Sequence, residues 1–228
     1  MTKGISPYRI LRFCLLLAST LLLGAAAYPQ DTLRIHFYYG SKPAKLFKDQ
    51  EKKHFGGIHG GHVSIETEDG VYGFGPQGKF HLVARRRAKK RHSYFQYQTM
   101  EEFRTDSAGK QYLTIFIPVS SDQAGCVDSL HQAYRQDVPY DYAFIGMRCT
   151  AATSEILSQI HLLRKRWKGG RYRYFFPRKL RNKLTKMARK NNWRMIYREG
   201  NLRRHWERDL KKTRRTISQG AEFMPASR

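Results

Sequence analysis

The residues of this sequence best suited to covalent chemistry are a cysteine and a histidine that lie far apart in the chain. Cys149 is followed by Ala152 and Ile156 at helical spacing, which predicts a helix that begins at about Cys149. Unpaired backbone N–H groups and the positive end of the dipole stabilise a thiolate at the start of a helix. Cys149 is therefore a candidate nucleophile. The alternative is a small, inert buried residue, which is the commoner use of cysteine in this position.

His62 is the candidate general base. It follows Gly60-Gly61 and opens a predicted strand over residues 62–67, on which it shares a face with Ser64. An imidazole in this position could face a helix packed on the same side of the sheet. The alternative is a histidine that only caps the edge of a strand and has no catalytic role. The position of the residue alone leaves both interpretations open.

Two short runs resemble the signatures of a known family. The first is Gly61-His62-Val63-Ser64-Ile65, followed after a turn by Val71-Tyr72-Gly73-Phe74, and the second is Tyr142-Ala143-Phe144-Ile145-Gly146-Met147-Arg148-Cys149-Thr150. Together they resemble the circularly permuted, NlpC-like branch of the papain-like cysteine hydrolases, in which the histidine precedes the cysteine. The order of the two runs fits that branch, and so does the 87-residue separation of His62 and Cys149. The resemblance covers roughly residues 32–165.

The resemblance implies an α+β fold in which an antiparallel sheet packs against helices, here with a basic helical C-terminal extension. It implies that Cys149 attacks a carbonyl, that His62 shuttles the proton, and that an acyl-enzyme intermediate follows. The implied substrate is an amide or ester of the cell envelope, either a peptidoglycan peptide or a lipid, and no metal or cofactor is needed. Arg148 departs from the family pattern, because many relatives carry Asn at that position.

Relatives also use a polar third residue on the strand after the histidine. Gln77 is our choice for this residue, with His81 and Glu66 as alternatives. Glu66 is disfavoured because four residues along one strand span about 13 Å, too far for a direct hydrogen bond to the ring of His62.

Two structural alternatives compete with this interpretation. Cys126 and Cys149 could form a disulfide, which an exported compartment permits. His54, His59 and His62 could bind zinc together with Cys149 or His81 as a further ligand. We prefer to interpret the glycines between these histidines as a tight loop beside a cleft.

Hydrophobic patterning predicts the elements that must position these residues. Alternation predicts strands at residues 32–39, 62–67, 71–74, 79–84 and 112–119, with a hairpin turn at Asp69-Gly70. Helical spacing predicts a helix after Ser121, capped by Ser121 or Asp122 and containing Cys126, a helix from Cys149 to Gly169-Gly170, and a helix over residues 177–190 before a strand at 193–198. Strands followed by helices favour an α+β domain.

The N-terminal residues predict export. Residues 1–27 contain three cations, an apolar stretch and Ala25-Ala26-Ala27, which is the pattern of a signal peptide cleaved before Tyr28. The mature protein would be periplasmic or secreted. We expect one papain-like domain over residues 28–217 and a disordered tail over 218–228.

The formal net charge of the chain is +25, and residues 164–228 hold 23 cations against four acids. A second cationic run occupies residues 85–91. Such charge favours an anionic envelope polymer or a membrane surface as partner, whereas an exported protein rarely meets nucleic acid. The alternative function is therefore a non-catalytic module that binds polyanions on the same scaffold. The sequence does not indicate an oligomeric state.

Overall fold

The structure is a computed structural model that describes residues 30–55, 60–78, 81–83, 92–164, 174–207, 220 and 222–225. The predicted signal peptide, the cationic run at residues 85–91 and the expected helix end at Gly169-Gly170 lie outside these ranges. The described part of the chain is a mixed α+β structure with four α-helices and a mostly antiparallel main sheet. The α+β class predicted from the sequence is therefore confirmed.

The main sheet has seven strands in the order β11-β9-β7-β1-β3-β4-β6. Its strands are β1 (Gln30–Tyr39), β3 (Gly61–Glu66), β4 (Val71–Pro76), β6 (Ser93–Gln98), β7 (Tyr112–Ser120), β9 (Met195–Arg198) and β11 (Glu222–Met224). Two small sheets accompany it. In one, β2 (Ser41–Pro43) pairs with β10 (Arg204–Trp206), and in the other β5 (His81–Val83) pairs in parallel with β8 (Ala143–Ile145).

The alternation predicted for the first strand is present in β1. Leu33, Ile35 and Phe37 are at most 1% exposed and belong to the main core. His36 and Tyr38 point to the opposite face, because successive side chains of a strand alternate. Both faces of β1 are buried, so the sheet is covered by other elements on its two sides.

The predicted hairpin connects β3 and β4, but its turn is shifted by one residue. Glu66 pairs with Val71, and the N–H of Thr67 donates to the carbonyl of Gly70 at 3.0 Å, so the two connecting residues are Glu68 and Asp69. Gly70 immediately precedes β4 and has a φ of +154°, and a Cβ at this position would lie 2.6 Å from the Tyr97 ring. Gly70 is thus needed for its close approach to Tyr97 rather than for the turn itself.

The helices are α1 (Met100–Ser107), α2 (Ser121–Gln136), α3 (Cys149–Gln159) and α4 (Pro177–Lys190). The N-cap of α2 is Ser120, where the sequence predicted Ser121 or Asp122. Gln123 explains the difference, because its N–H donates to the Ser120 hydroxyl while its side-chain oxygen accepts from the Ser120 N–H.

The end of α3 was predicted wrongly at Gly169-Gly170. The helix ends at Gln159, and the next turn is closed by His161, which has a φ of +60°. Ile160 and Leu163 are nevertheless 3% and 5% exposed. The apolar periodicity therefore continues beyond the helix, which is why spacing alone placed its end too late.

The basic C-terminal region is built into the domain instead of extending from it. Leu180, Leu184 and Ala188 of α4 are fully buried and pack against α3, β3 and β7. Strand β9 lies within the main sheet, between β7 and β11. Glu222–Met224, inside the tail that we expected to be disordered, forms a short strand parallel to β9.

Candidate active site

Cys149 is the first residue of α3, as its sequence spacing predicted, and its side chain is buried. The N-cap residue, Arg148, makes no side-chain hydrogen bond to the helix end, and the first turn of α3 contains no acidic residue. Cys149 therefore lies at the positive dipole end of α3, and the first turn of the helix contributes no competing carboxylate.

The fold brings His62 to Cys149. The ladder between β3 and β4 covers Ser64 to Glu66 and stops before Val63. At this open end of the hairpin, His62 lies close enough to Cys149 for its charge and hydrogen bonding to lower the pKa of the thiol, and the Val63 amide acts in the same direction. The two residues that the sequence selected are thus neighbours.

Neighbouring residues fix the orientation of the His62 ring. Phe55 stacks on it with centroids 5.4 Å apart and planes 12° apart, and Tyr38 lies on β1 at 6.3 Å. Gly73 leaves the space that the ring occupies, since a Cβ at that position would lie 3.1 Å from Nε2 of His62. A larger residue at position 73 would therefore push the ring.

The Cys149 thiol is acidified by its surroundings. Burial raises its pKa, but the charge and hydrogen bond of His62, followed by hydrogen bonds from Thr150 and from the Val63 amide, outweigh burial and lower the pKa to about 7. The Thr150 hydroxyl lies 3.8 Å from the sulfur. A substantial fraction of Cys149 is therefore thiolate at neutral pH, which is the form that acts as a nucleophile.

Tyr142 completes the immediate surroundings of the sulfur. Burial and the neighbouring Cys149 charge raise the pKa of Tyr142 to about 12, although Arg148 acts in the opposite direction. Hydrogen bonding with Cys149 also raises this pKa and hydrogen bonding with Arg148 lowers it, so Tyr142 lies next to both residues. Tyr142 therefore remains protonated at neutral pH and holds a proton that it can donate next to the sulfur.

Arg148 lies at the rim of the site. Its guanidinium carbon lies 5.4 Å from the centroid of the Phe144 ring and 5.0 Å from that of Phe175, so two aromatic rings flank the charge. Arg148 thus provides a positioned cation close to Cys149.

The surroundings of Gln77, the third catalytic residue predicted from the sequence, give no evidence for or against its role. Gln77 is exposed just beyond the end of β4, and within the described residues its side chain makes no hydrogen bond to His62. The role of Gln77 therefore stays a prediction.

The two alternatives for this role have other surroundings. The carboxylate of Glu66 is bound by Arg34 and lies 2.8 Å from Nε2 of His36, so it belongs to a separate buried network. His81 packs against His92 with ring centroids 5.1 Å apart, and its Nε2 is buried without a partner among the described residues.

The two structural alternatives are affected differently. Cys126 is exposed on α2 while Cys149 is buried, and both are free, so the disulfide alternative is wrong. Among the residues that the structure describes, no cluster of three or more histidine, cysteine or acidic side chains could hold a metal ion. His59 of the zinc hypothesis lies outside them.

None of the described helices is long and apolar enough to cross a membrane.

Comparisons with protein-family models, with curated proteins and with solved structures give no match for this chain. The family resemblance therefore remains a hypothesis that rests on the two short sequence runs. The function has to be inferred from the geometry around Cys149 and His62.

Proposed function

We propose that this protein is a cysteine hydrolase or acyltransferase of the papain-like, permuted NlpC-like type, which cleaves an amide or ester bond in the cell envelope. The observation that carries the proposal is the proximity of Cys149, at the start of α3, to His62, on a hairpin distant in sequence. A thiol with a lowered pKa beside an imidazole is the arrangement that thiol acyl transfer requires.

The proposed reaction has two steps. In the first, the Cys149 thiolate attacks the substrate carbonyl, and protonated His62 gives its proton to the leaving amine or alcohol. In the second, His62 takes a proton from water or from another acceptor, which attacks the thioester and releases Cys149. The Tyr142 hydroxyl and the free N–H groups at the start of α3 would donate to the developing oxyanion.

We further propose that the protein acts outside the cytoplasm, after cleavage of residues 1–27 before Tyr28. The basis is the sequence pattern of those residues, with three cations, an apolar stretch and a run of small residues. Intact-mass measurement of the exported protein tests this directly. A mature form that retains residues 1–27, or that stays in the cytoplasm, would contradict it.

A non-catalytic module that binds polyanions is the second candidate. It is favoured by α4, which carries seven cations and no acidic residue, six of the seven cations being exposed. In that case retention on an anionic matrix would fall steeply with salt and would be the same for Cys149→Ala as for the parent protein.

The proposed activity is tested with a panel of activated acyl esters and peptide amides. Turnover by the parent protein should fall to background in Cys149→Ala and in His62→Ala. Cys126→Ala and His54→Ala are the matched controls, since the first removes a cysteine from the surface of α2 and the second a histidine that is not in contact with the thiol. Full turnover by Cys149→Ala would contradict the proposal.

A further inference from the structure

Four large apolar side chains are exposed on the small sheet formed by β5 and β8. The exposed fractions are 66% for Leu82, 52% for Val83, 47% for Phe144 and 42% for Ile145. We call these four residues the apolar ribbon. In both strands only the first residue, His81 or Ala143, is buried. Adjacent strand residues point to opposite faces, so the ribbon presents apolar side chains on both of its faces.

Aromatic rings continue the apolar ribbon. Phe144 contacts Phe175 at a centroid distance of 6.1 Å, and Phe175 contacts Phe176 at 4.5 Å. Phe176 is itself 44% exposed and immediately precedes α4. Several large apolar side chains exposed so close together are unusual for a soluble domain and mark an interaction site.

The cations beside this surface define the chemistry of its partner. The Arg148 guanidinium lies against Phe144 and Phe175, and Lys179 is exposed in the first turn of α4, three residues after Phe176. Apolar and aromatic side chains bordered by cations match the boundary between the acyl chains and the anionic headgroups of a lipid bilayer. A neutral protein partner would leave the cations without a counterpart.

We propose that the apolar ribbon and Phe176 dock on the surface of an anionic lipid bilayer. The apolar side chains enter the boundary between headgroups and acyl chains, while Arg148 and Lys179 contact the lipid phosphates. Because β8 ends four residues before Cys149, docking places the candidate active site at the membrane surface. The docking itself requires no catalysis and stands independently of the proposed function.

Vesicle sedimentation tests this proposal with the full chain. Binding to vesicles of phosphatidylglycerol and phosphatidylcholine is compared with binding to phosphatidylcholine alone. The double variant Leu82→Gln with Val83→Gln should bind the anionic vesicles about tenfold more weakly, since it removes two inserted apolar side chains. The matched control is Leu46→Gln with Leu202→Gln, which changes two leucines that are 87% and 85% exposed outside the ribbon. This control should bind like the parent protein.

Three results would overturn the docking proposal. The first is equal binding of the parent and the ribbon variant, which would mean that charge alone holds the protein on vesicles. The second is the absence of any preference for anionic vesicles. The third is concentration-dependent self-association that the ribbon variant abolishes, without vesicle binding, which would make a second copy of the chain the occupant. Cys149→Ala should bind vesicles like the parent, so loss of the proposed activity and loss of docking are separate outcomes.

Discussion

The lowered pKa of Cys149 results from opposing effects on one sulfur atom. Burial favours the neutral thiol, whereas the imidazole of His62 and two further hydrogen-bond donors favour the thiolate. The balance lowers the pKa of Cys149 to about 7, so both forms are populated at neutral pH. Small displacements of the His62 ring should therefore change the thiolate fraction measurably.

Gly73→Ala should displace this ring. The added Cβ would lie 3.1 Å from Nε2 of His62, closer than an ordinary contact, while Gly73 is not among the glycines with a positive φ, so the backbone tolerates alanine. We expect the alkylation rate of Cys149 at neutral pH to fall roughly tenfold to a hundredfold, with little change in the free energy of unfolding.

Gly75→Ala is the matched control for this substitution. Gly75 lies two residues further along β4, and its added Cβ would meet the Tyr94 ring at an ordinary 3.5 Å. Alkylation of Cys149 in Gly75→Ala should match that of the parent. Equal alkylation rates for Gly73→Ala and the parent would show that the position of the His62 ring does not depend on the absence of a side chain at position 73.

At this scale the sequence predicts the proximity of His62 and Cys149 and misses most of their surroundings. His62 and Cys149 are recognisable because each lies in a short run with a family resemblance. The contact of Gly73 with His62 depends on the register of β3 and β4, which no local pattern specifies. Phe55 comes from a loop whose path follows only from the folded chain.

At the scale of elements, local signals determine which boundaries are predictable. The bounds of α4 agree with the sequence prediction, because Pro177 fixes its first turn and its apolar stripe ends at Ala188. Helix α1 was missed, although Thr99 and Glu102 form a capping box that the sequence displays. The end of α3 could not be predicted, since buried apolar residues continue past it.

The packing of α2 on the sheet predicts a pH dependence of stability. His131 on α2 stacks on Tyr72 of β4 with ring centroids 4.0 Å apart, and burial lowers the pKa of His131 to about 3. An unfolded histidine has a pKa of about 6.5. Between these two values the unfolded state binds one more proton, so stability falls as the pH falls, by about 1.4 kcal/mol per pH unit.

His131→Phe should keep the ring contact and remove this proton uptake. As the pH falls from 6.5 to 5, the free energy of unfolding of the variant should fall by about 2 kcal/mol less than that of the parent. Urea unfolding of both proteins at pH 7 and pH 5 measures the change. A stability difference that is the same at both pH values would mean that His131 does not titrate on unfolding.

At the scale of the whole molecule, the site exists only because the fold joins distant segments. Among the described residues, four strands and two helices separate the hairpin that carries His62 from the helix that begins at Cys149. In chain order they are β5, β6, α1, β7, α2 and β8. The class of the fold follows from the order of strand and helix patterns. The pairing of β7 with β9 and of β1 with β3 joins distant parts of the chain, and composition or periodicity cannot specify such pairings.

The most direct test of this account is the pH titration of the Cys149 thiolate by ultraviolet absorbance, with the signal of Cys149→Ala subtracted to remove other cysteines. The account predicts an inflection near pH 7 in the parent protein and an inflection at least one pH unit higher in His62→Ala, whose thiol stays buried without the imidazole. An inflection in the parent at about 8.5 or above, or one that His62→Ala leaves unchanged, would contradict the proposal that His62 activates Cys149.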